Sequence, residues 1–302
     1  MDITYRRGTI QDSHSLYSVL AQSLCDFDRR TGTPDHENGW NDPAVVAELW
    51  ESLQPLYLHL ATTADQYWVA QQENQIIGYA RSILGNDIRV LTEFFVLPAH
   101  QSGGVGRALF ARAFPVDGVR RRVINATTNI GARALYLKSG VYARFPIQYL
   151  SREPALTRVA TDLVFVPASA TPQTLAALRA IDTAVLDFER DAEHQFLLDT
   201  RNAYLYYRGA DVVGYGYISN GIGPVALLDE SDYPAVLAHA ENAAVERGDK
   251  QISVEVPLIN RAAVDYLLAR KFQLGRGVIL FMSNEAFGRF ENYIISSPPL
   301  LL

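Results

Sequence analysis

The stretch LTEFFVLPAHQSGGVGRAL, from Leu91 to Leu109, constrains this chain more than any other. Leu91 to Val96 reads as a short buried strand that Pro98 stops, and a glycine-rich turn from Gln101 to Gly106 opens into a helical run from Arg107 to Ala113. A strand, a glycine turn and a helix in that order make an anion site. Gly103, Gly104 and Gly106 lack a Cβ, so the backbone can take unusual dihedrals and approach a ligand, while the N–H groups of the first helical turn point at it. A pyrophosphate is the natural guest. The Walker A pattern needs Lys-Ser or Lys-Thr after its last glycine, and Arg107-Ala108 follows Gly106. The dinucleotide fingerprint fails as well, because Leu109 stands three residues past Gly106 where a glycine is required.

A second pattern follows about thirty residues later, where Asn129 to Val141 reads NIGARALYLKSGV. Asn129, Ala132 and Tyr136 are three and then four residues apart, so they share one helical face. Asn129 suits an N-cap, and Gly140 stands where a left-handed C-cap ends the helix. Together these stretches resemble the GNAT superfamily of N-acetyltransferases. Its acetyl-CoA signature, Gln/Arg-x-x-Gly-x-Gly/Ala, stands here as Gln101-Ser102-Gly103-Gly104-Val105-Gly106. Its second motif, Asn-x-x-Ala-x-x-Leu-Tyr-x-x-x-Gly-Phe, stands from Asn129 with Val141 in place of Phe.

The resemblance implies an α/β fold of mixed α+β sheet layers and acetyl-CoA as co-substrate, with no metal. It assigns the coenzyme to Phe94, Phe95, Val96, the Gln101 to Gly106 turn, Arg107, Asn129 and Tyr136. Backbone N–H groups around Phe95 and Val96 would bind the thioester carbonyl and the pantetheine amides, leaving their strand splayed from its neighbour. Tyr136 is carried over as the group that meets the departing sulfur. A tyrosine pKa near 10 against about 8.5 for a thiol makes complete proton transfer uphill by roughly 2 kcal/mol, so Tyr136 is expected to donate a hydrogen bond. Arg120, Arg121 and Arg122 could reach the coenzyme's 3′-phosphate, or simply form a solvated strand entrance.

Acyl transfer to an amine also needs that amine neutral. A lysine-like group has a pKa near 10.4, so about one molecule in 2,500 is neutral at pH 7. Glu93 is the only carboxylate of its strand, three residues before Val96. It is expected to act as general base through water, or else as an acceptor-binding carboxylate.

At 302 residues and 48% apolar content, the chain should hold two domains, with boundaries expected at 1–155 and 156–302. A net charge of −6, from 33 acidic and 27 basic residues, argues against nucleic acid or an anionic membrane as the main partner. One cysteine, Cys25, cannot form an internal disulfide, and beside Asp26 it reads as a buried small hydrophobe. With no cationic, apolar leader and no apolar run of transmembrane length, the expected compartment is the cytoplasm.

Ile3 to Arg7 reads as a strand, Gln11 to Ser23 as a helix and Pro43 to Ala61 as another. CDFDRRTGTPDHENGWND between them is rich in Gly, Pro and Asp and is expected to be irregular. The resemblance places the acceptor beneath this region, so Asp26, Asp28, Asp35, Glu37 and Trp40 become candidates for holding a cationic amine. Gln66 to Gln71 and Gln75 to Ser82 read as paired strands, with Tyr79 and Arg81 on one face; Tyr79 is a further acceptor candidate. Tyr142 to Leu150 is expected to close the first unit.

An internal repeat then appears. Gln75-Ile76-Ile77-Gly78-Tyr79-Ala80 lines up with Asp211-Val212-Val213-Gly214-Tyr215-Gly216, and Asn260, Ala263 and Leu267 repeat the spacing of Asn129, Ala132 and Tyr136. The copy lacks the chemistry. Leu227-Leu228-Asp229-Glu230-Ser231-Asp232-Tyr233-Pro234 replaces the glycine turn, and its carboxylates would repel a pyrophosphate; Leu267 offers no hydroxyl. The second unit is expected to brace the first, wall the acceptor channel or form an interface, a homodimer included. The apolar tail from Phe287 to Leu302 is expected to dock on a groove or a partner chain. The function expected is direct transfer of an acetyl group, in a ternary complex, to the primary amine of a small molecule, with a protein lysine or N-terminus as the alternative acceptor. A non-catalytic acetyl-CoA sensor or assembly scaffold is the alternative.

Overall fold

The computed structural model describes residues 2–32, 39–219, 221–296 and 298–299. By its contacts the chain divides into two compact units, Met1–Ile124 with Asn129–Val141, and Asn125–Thr128 with Tyr142–Leu302. The first unit carries β1 (Thr4–Arg7), α1 (Ser13–Thr31), α2 (Pro43–Thr63), β2 (Gln66–Gln72), β3 (Gln75–Gly85), β4 (Ile88–Val96), α3 (Val105–Ala113), β5 (Arg121–Ala126) and α4 (Ile130–Lys138). Its strands run in the order β1-β2-β3-β4-β5, antiparallel until β4 meets β5 in parallel. That last pair is parallel because α3 carries the chain back between them.

Leu16, Val19 and Leu20, one stripe of α1, pack with Val69 and Ile77 of the sheet and Leu109 of α3. Burying each such side chain contributes about 2 kcal/mol, which is what seats α1 beside the end of β4. The helix runs further than the sequence suggests. Asp26 and Arg30 form an i,i+4 ion pair at 2.7 Å, and the helix stops only where Gly32 takes φ +72°. Cys25 to Thr31, expected to be irregular, is therefore helical.

The second unit carries β6 (Tyr142–Arg152), β7 (Val164–Ala168), α5 (Pro172–Leu186), α6 (Asp191–Thr200), β8 (Ala203–Arg208), β9 (Asp211–Ile218) and β10 (Gly221–Leu227). It continues with α7 (Tyr233–Arg247), β11 (Ile252–Pro257), α8 (Arg261–Ala269), β12 (Gln273–Ser283) and β13 (Tyr293–Ile294). Its strand order is β12-β6-β11-β10-β9-β8-β7, with β13 paired to β10.

The contact division falls at Val141/Tyr142, where the sequence reading had placed it at 155/156. The cause is β6, expected to close the first unit but laddered on both edges within the second, to β11 and to β12. The repeat itself is visible in backbone bonds. Gly78 faces Val96 as Gly214 faces Leu227, and the Leu97 N–H donates to Ile77 O at 2.8 Å as Leu228 does to Val213 O at 2.9 Å. Asn129 caps α4 through the Ala132 N–H at 3.1 Å, and Asn260 caps α8 through Ala263 at 3.0 Å. Among the described residues, no helix is long and apolar enough to cross a membrane.

Candidate active site

The parallel ladder between β4 and β5 ends at the pair Leu91 and Ile124, although β4 continues to Val96. Beyond Leu91 the two strands part. Because the Leu97 N–H turns toward β3, period-two alternation aims the Phe94 and Val96 N–H groups at the opened edge and the Phe95 N–H at β3. The sequence reading centred the donors on Phe95 and Val96; the pair on the free edge is Phe94 and Val96. The Val96 carbonyl lies on that edge too, accepting from Gln101 Nε2 at 3.0 Å and Ser23 Oγ at 3.3 Å.

A cavity of about 310 Å³ runs along this edge. Phe94, Phe95 and Val96 line it on the strand side, Gln101, Ser102, Gly104, Gly106 and Arg107 on the turn side. Asn129 lines it from the cap of α4. Gly104, the N-cap residue of α3, takes φ +90°, and a Cβ added there meets nothing within 4 Å. Ser102 also has positive φ, at +66°. At Gly104 the left-handed backbone stands against open space at the start of α3, a place suited to an anion. Gly103 and Val105 are absent from the wall, and Val105 is buried in the core.

Tyr136 does not line the cavity. It sits one position past the lining residue Leu135, 5% exposed, with its ring against Phe94 at 6.3 Å and Phe110 at 5.5 Å between centroids. Burial raises the pKa of its hydroxyl, which keeps the proton on it. The spacing placed Asn129, Ala132 and Tyr136 on one face; the wall takes Asn129, Ala132 and Leu135, with Tyr136 behind Phe94.

Glu93 needs a correction. Its side chain is buried beside Tyr79 and Arg81, where Arg81 Nε donates to it at 2.6 Å, Arg81 Nη2 forms a second bond, and Tyr79 Oη donates at 2.8 Å. A carboxylate whose oxygens are engaged this way does not reach the cavity, so the base role expected of it does not fit. Tyr79, expected near the acceptor, is buried in the same network, 3.4 Å from Tyr57 Oη. It has no path to a ligand there.

The remaining acceptor candidates do not converge on the cavity either. Asp26 is paired with Arg30, Asp28 lies in the last turn of α1, and Trp40 packs against the core of the first unit. Asp35 and Glu37 lie outside the described residues. Of the arginine trio, Arg121 and Arg122 are buried and Arg122 donates to Ser139 O at 2.8 Å; Arg120 stands 3.9 Å from Asp87. Positive charge at the cavity comes instead from Arg30 and Arg107.

The sequence reading missed the contribution of α1, which lends Ser23, Leu24, Phe27 and Arg30 to the wall. Only Ser23 carried a signal, as a polar residue on the apolar stripe. Leu24, Phe27 and Arg30 became visible once the helix was seen to continue to Thr31.

Residues 63–141 match the acetyltransferase (GNAT) domain family. No curated protein matches the chain by sequence. Among solved structures, an assigned acetyltransferase from Pyrococcus horikoshii is similar over 97% of this chain and 94% of its own, with a TM-score of 0.72 and 16% identity. A tandem GNAT protein from the clavulanic acid biosynthesis pathway is similar over 93% and 98%, at TM-score 0.55 and 13% identity. A GCN5-related N-acetyltransferase from Sphaerobacter thermophilus is similar over 95% and 97%, at 0.57 and 12%. At such identities the likeness is one of fold, and it extends over both units.

Proposed function

We propose that the first unit, in which residues 63–141 match the acetyltransferase (GNAT) domain family, transfers an acetyl group from acetyl-CoA to a primary amine. The transfer is direct, within a ternary complex. One observation carries the reading: a single cavity joins the free edge of β4, the outward-wound glycine turn and the capped start of α4.

Acetyl-CoA, when bound, supplies an acyl group activated as a thioester. The amides of the Ser102 to Gly106 turn and the start of α3 suit its diphosphate, with Arg30 and Arg107 balancing the charge. The Phe94 and Val96 N–H groups suit the carbonyls of the pantetheine arm and of the thioester. A backbone donor aimed at the charge that develops on the thioester oxygen lowers the barrier by about 3 kcal/mol. As the acceptor nitrogen bonds to the carbonyl carbon and the C–S bond breaks, the nitrogen loses its proton to water, and the thiolate needs a hydrogen-bond donor. The resemblance gives that role to Tyr136, whose burial keeps the proton on its hydroxyl, although its ring stands behind Phe94 and not on the cavity wall.

The acceptor is a small-molecule amine, as the acidic stretch after Ser23 suggests, with a protein lysine or N-terminus the alternative. With Glu93 internal, no carboxylate lines the cavity among the described residues. That observation favours a second reading, an acetyl-CoA sensor without turnover. A screen of primary amines with detection of free thiol separates the two. Thiol release that requires both acetyl-CoA and one class of amine supports the enzyme. Coenzyme binding with no turnover on any amine or lysine peptide supports the sensor.

A further inference from the structure

The second unit opens its sheet at the equivalent place and then closes it with its own tail. The parallel ladder of β10 with β11 ends at Ile222 and Val254, three residues before Val225, as the ladder of β4 with β5 ends at Leu91, three before Phe94. In the first unit the edge beyond that point faces the cavity. In the second, β13 lies on it, antiparallel, with Val225 opposite Ile294 and Ala226 opposite Tyr293.

The fastenings correspond as well. The carbonyl of Val96 accepts from the side-chain amide of Gln101 at 3.0 Å; the carbonyl of Leu227, its counterpart, accepts from the side-chain amide of Asn292 at 2.8 Å. Asn260, the counterpart of Asn129, caps α8 and also donates to Tyr293 O at 3.4 Å. The Tyr293 hydroxyl accepts from Arg190 Nη1 at 2.8 Å. Arg190 in turn is paired with Asp182, which also bonds His194 and Tyr215, all of them buried. Tyr215 is the repeat partner of Tyr79, so the face that holds Glu93 in the first unit is filled in the second by this network. Gly223 has no room for a side chain: a Cβ there would strike the carbonyl of Ile295.

We propose that β13, Tyr293–Ile294, is an internal ligand of the second unit, seated in the slot that in the first unit takes the pantetheine arm; the identity of that arm rests on the function proposed above. The chemistry is the same in both. Pantetheine is a chain with two amides, and a peptide strand offers a sheet edge the same alternation of donors and acceptors. Where the coenzyme's diphosphate would have to follow, the second unit presents Asp229, Glu230 and Asp232. The slot is therefore committed to the tail, and the chain takes one coenzyme.

Hydrogen exchange of the full chain, with and without CoA, tests this. The segment around Val225–Leu227 should be protected in both states, while the Phe94 and Val96 amides should exchange freely and slow about tenfold or more when CoA is added. The double variant Asn292→Ala, Tyr293→Phe should speed exchange at 225–227 by about tenfold and leave CoA affinity unchanged. A milder variant, Tyr293→Phe alone, covers the case in which the double variant fails to fold, with a smaller rise at the same residues. Fast exchange at 225–227 in the native chain, or two equivalents of CoA bound, would overturn the proposal. Protection at 225–227 without any CoA effect at 94–96 would leave the internal ligand standing and sink the function proposed for the first unit.

Discussion

Glu93 and Tyr136 illustrate how far single residues can be read. Both were picked from their positions in a pattern, and only the packing around them decides what they can do. An acid on a strand faces one side or the other, and here the side is occupied by Arg81, so Glu93 is half of a buried ion pair. Glu93→Gln should therefore cost about 3–5 kcal/mol of stability, seen in denaturant unfolding, because it leaves a buried guanidinium uncompensated. With no carboxylate on the cavity wall among the described residues, log kcat/KM should climb with pH until it reaches the pKa of whichever amine is used. A plateau near pH 7 that ignores the amine's pKa would show that a base has been overlooked. Tyr136→Phe should lower kcat by about 10² if its hydroxyl serves the leaving sulfur, and unchanged turnover would remove it from the chemistry. In the second unit, burial raises the pKa of Glu255 to about 8, with Arg201 pulling the other way, and its Oε2 has no partner among the described residues. The folded chain holds that proton where the unfolded chain, near 4.5, has released it. The stability this group contributes is thus full below pH 4.5 and lost as pH rises through about 8. Glu255→Gln should flatten that decline and raise Tm at pH 9 by several degrees, with little change at pH 5.

Whole elements were easier to find than their ends. The strand, glycine turn and helix after Leu91 and the Asn129 helix were legible because breakers and caps mark them in one dimension: Pro98, Gly104, Asn129 and Gly140. The length of α1 was not, since the Asp26 to Arg30 pair supports the helix through a polar stretch and only Gly32 ends it. That misjudgement hid one wall of the cavity. The turn invites a direct perturbation, because Gly104 combines a left-handed backbone with open space where a side chain would stand. Gly104→Val should strain the backbone by about 1–2 kcal/mol and raise the Kd for CoA about tenfold or more. An unchanged Kd in calorimetry would mean that the turn does not hold the diphosphate.

At the scale of the molecule, the duplication was legible in the repeated Gly-Tyr motif and the paired Asn caps, and the loss of the phosphate turn in the copy was plain from Asp229 to Asp232. The exchange that gives β6 to the second unit could not be read, because its alternation of side chains suits an edge in either sheet. The tail's destination was likewise invisible: nothing in Tyr293–Ile294 names the strand it pairs with, and the opened edge of β10 that receives it exists only in three dimensions. Two units with one surviving turn make a simple count the most direct measurement of the account, a calorimetric titration of the full chain with acetyl-CoA beside the Gly104→Val variant. The account predicts one equivalent bound per chain and a marked loss of affinity in the variant. Two equivalents, or one that the variant binds as tightly as the native chain, would contradict it.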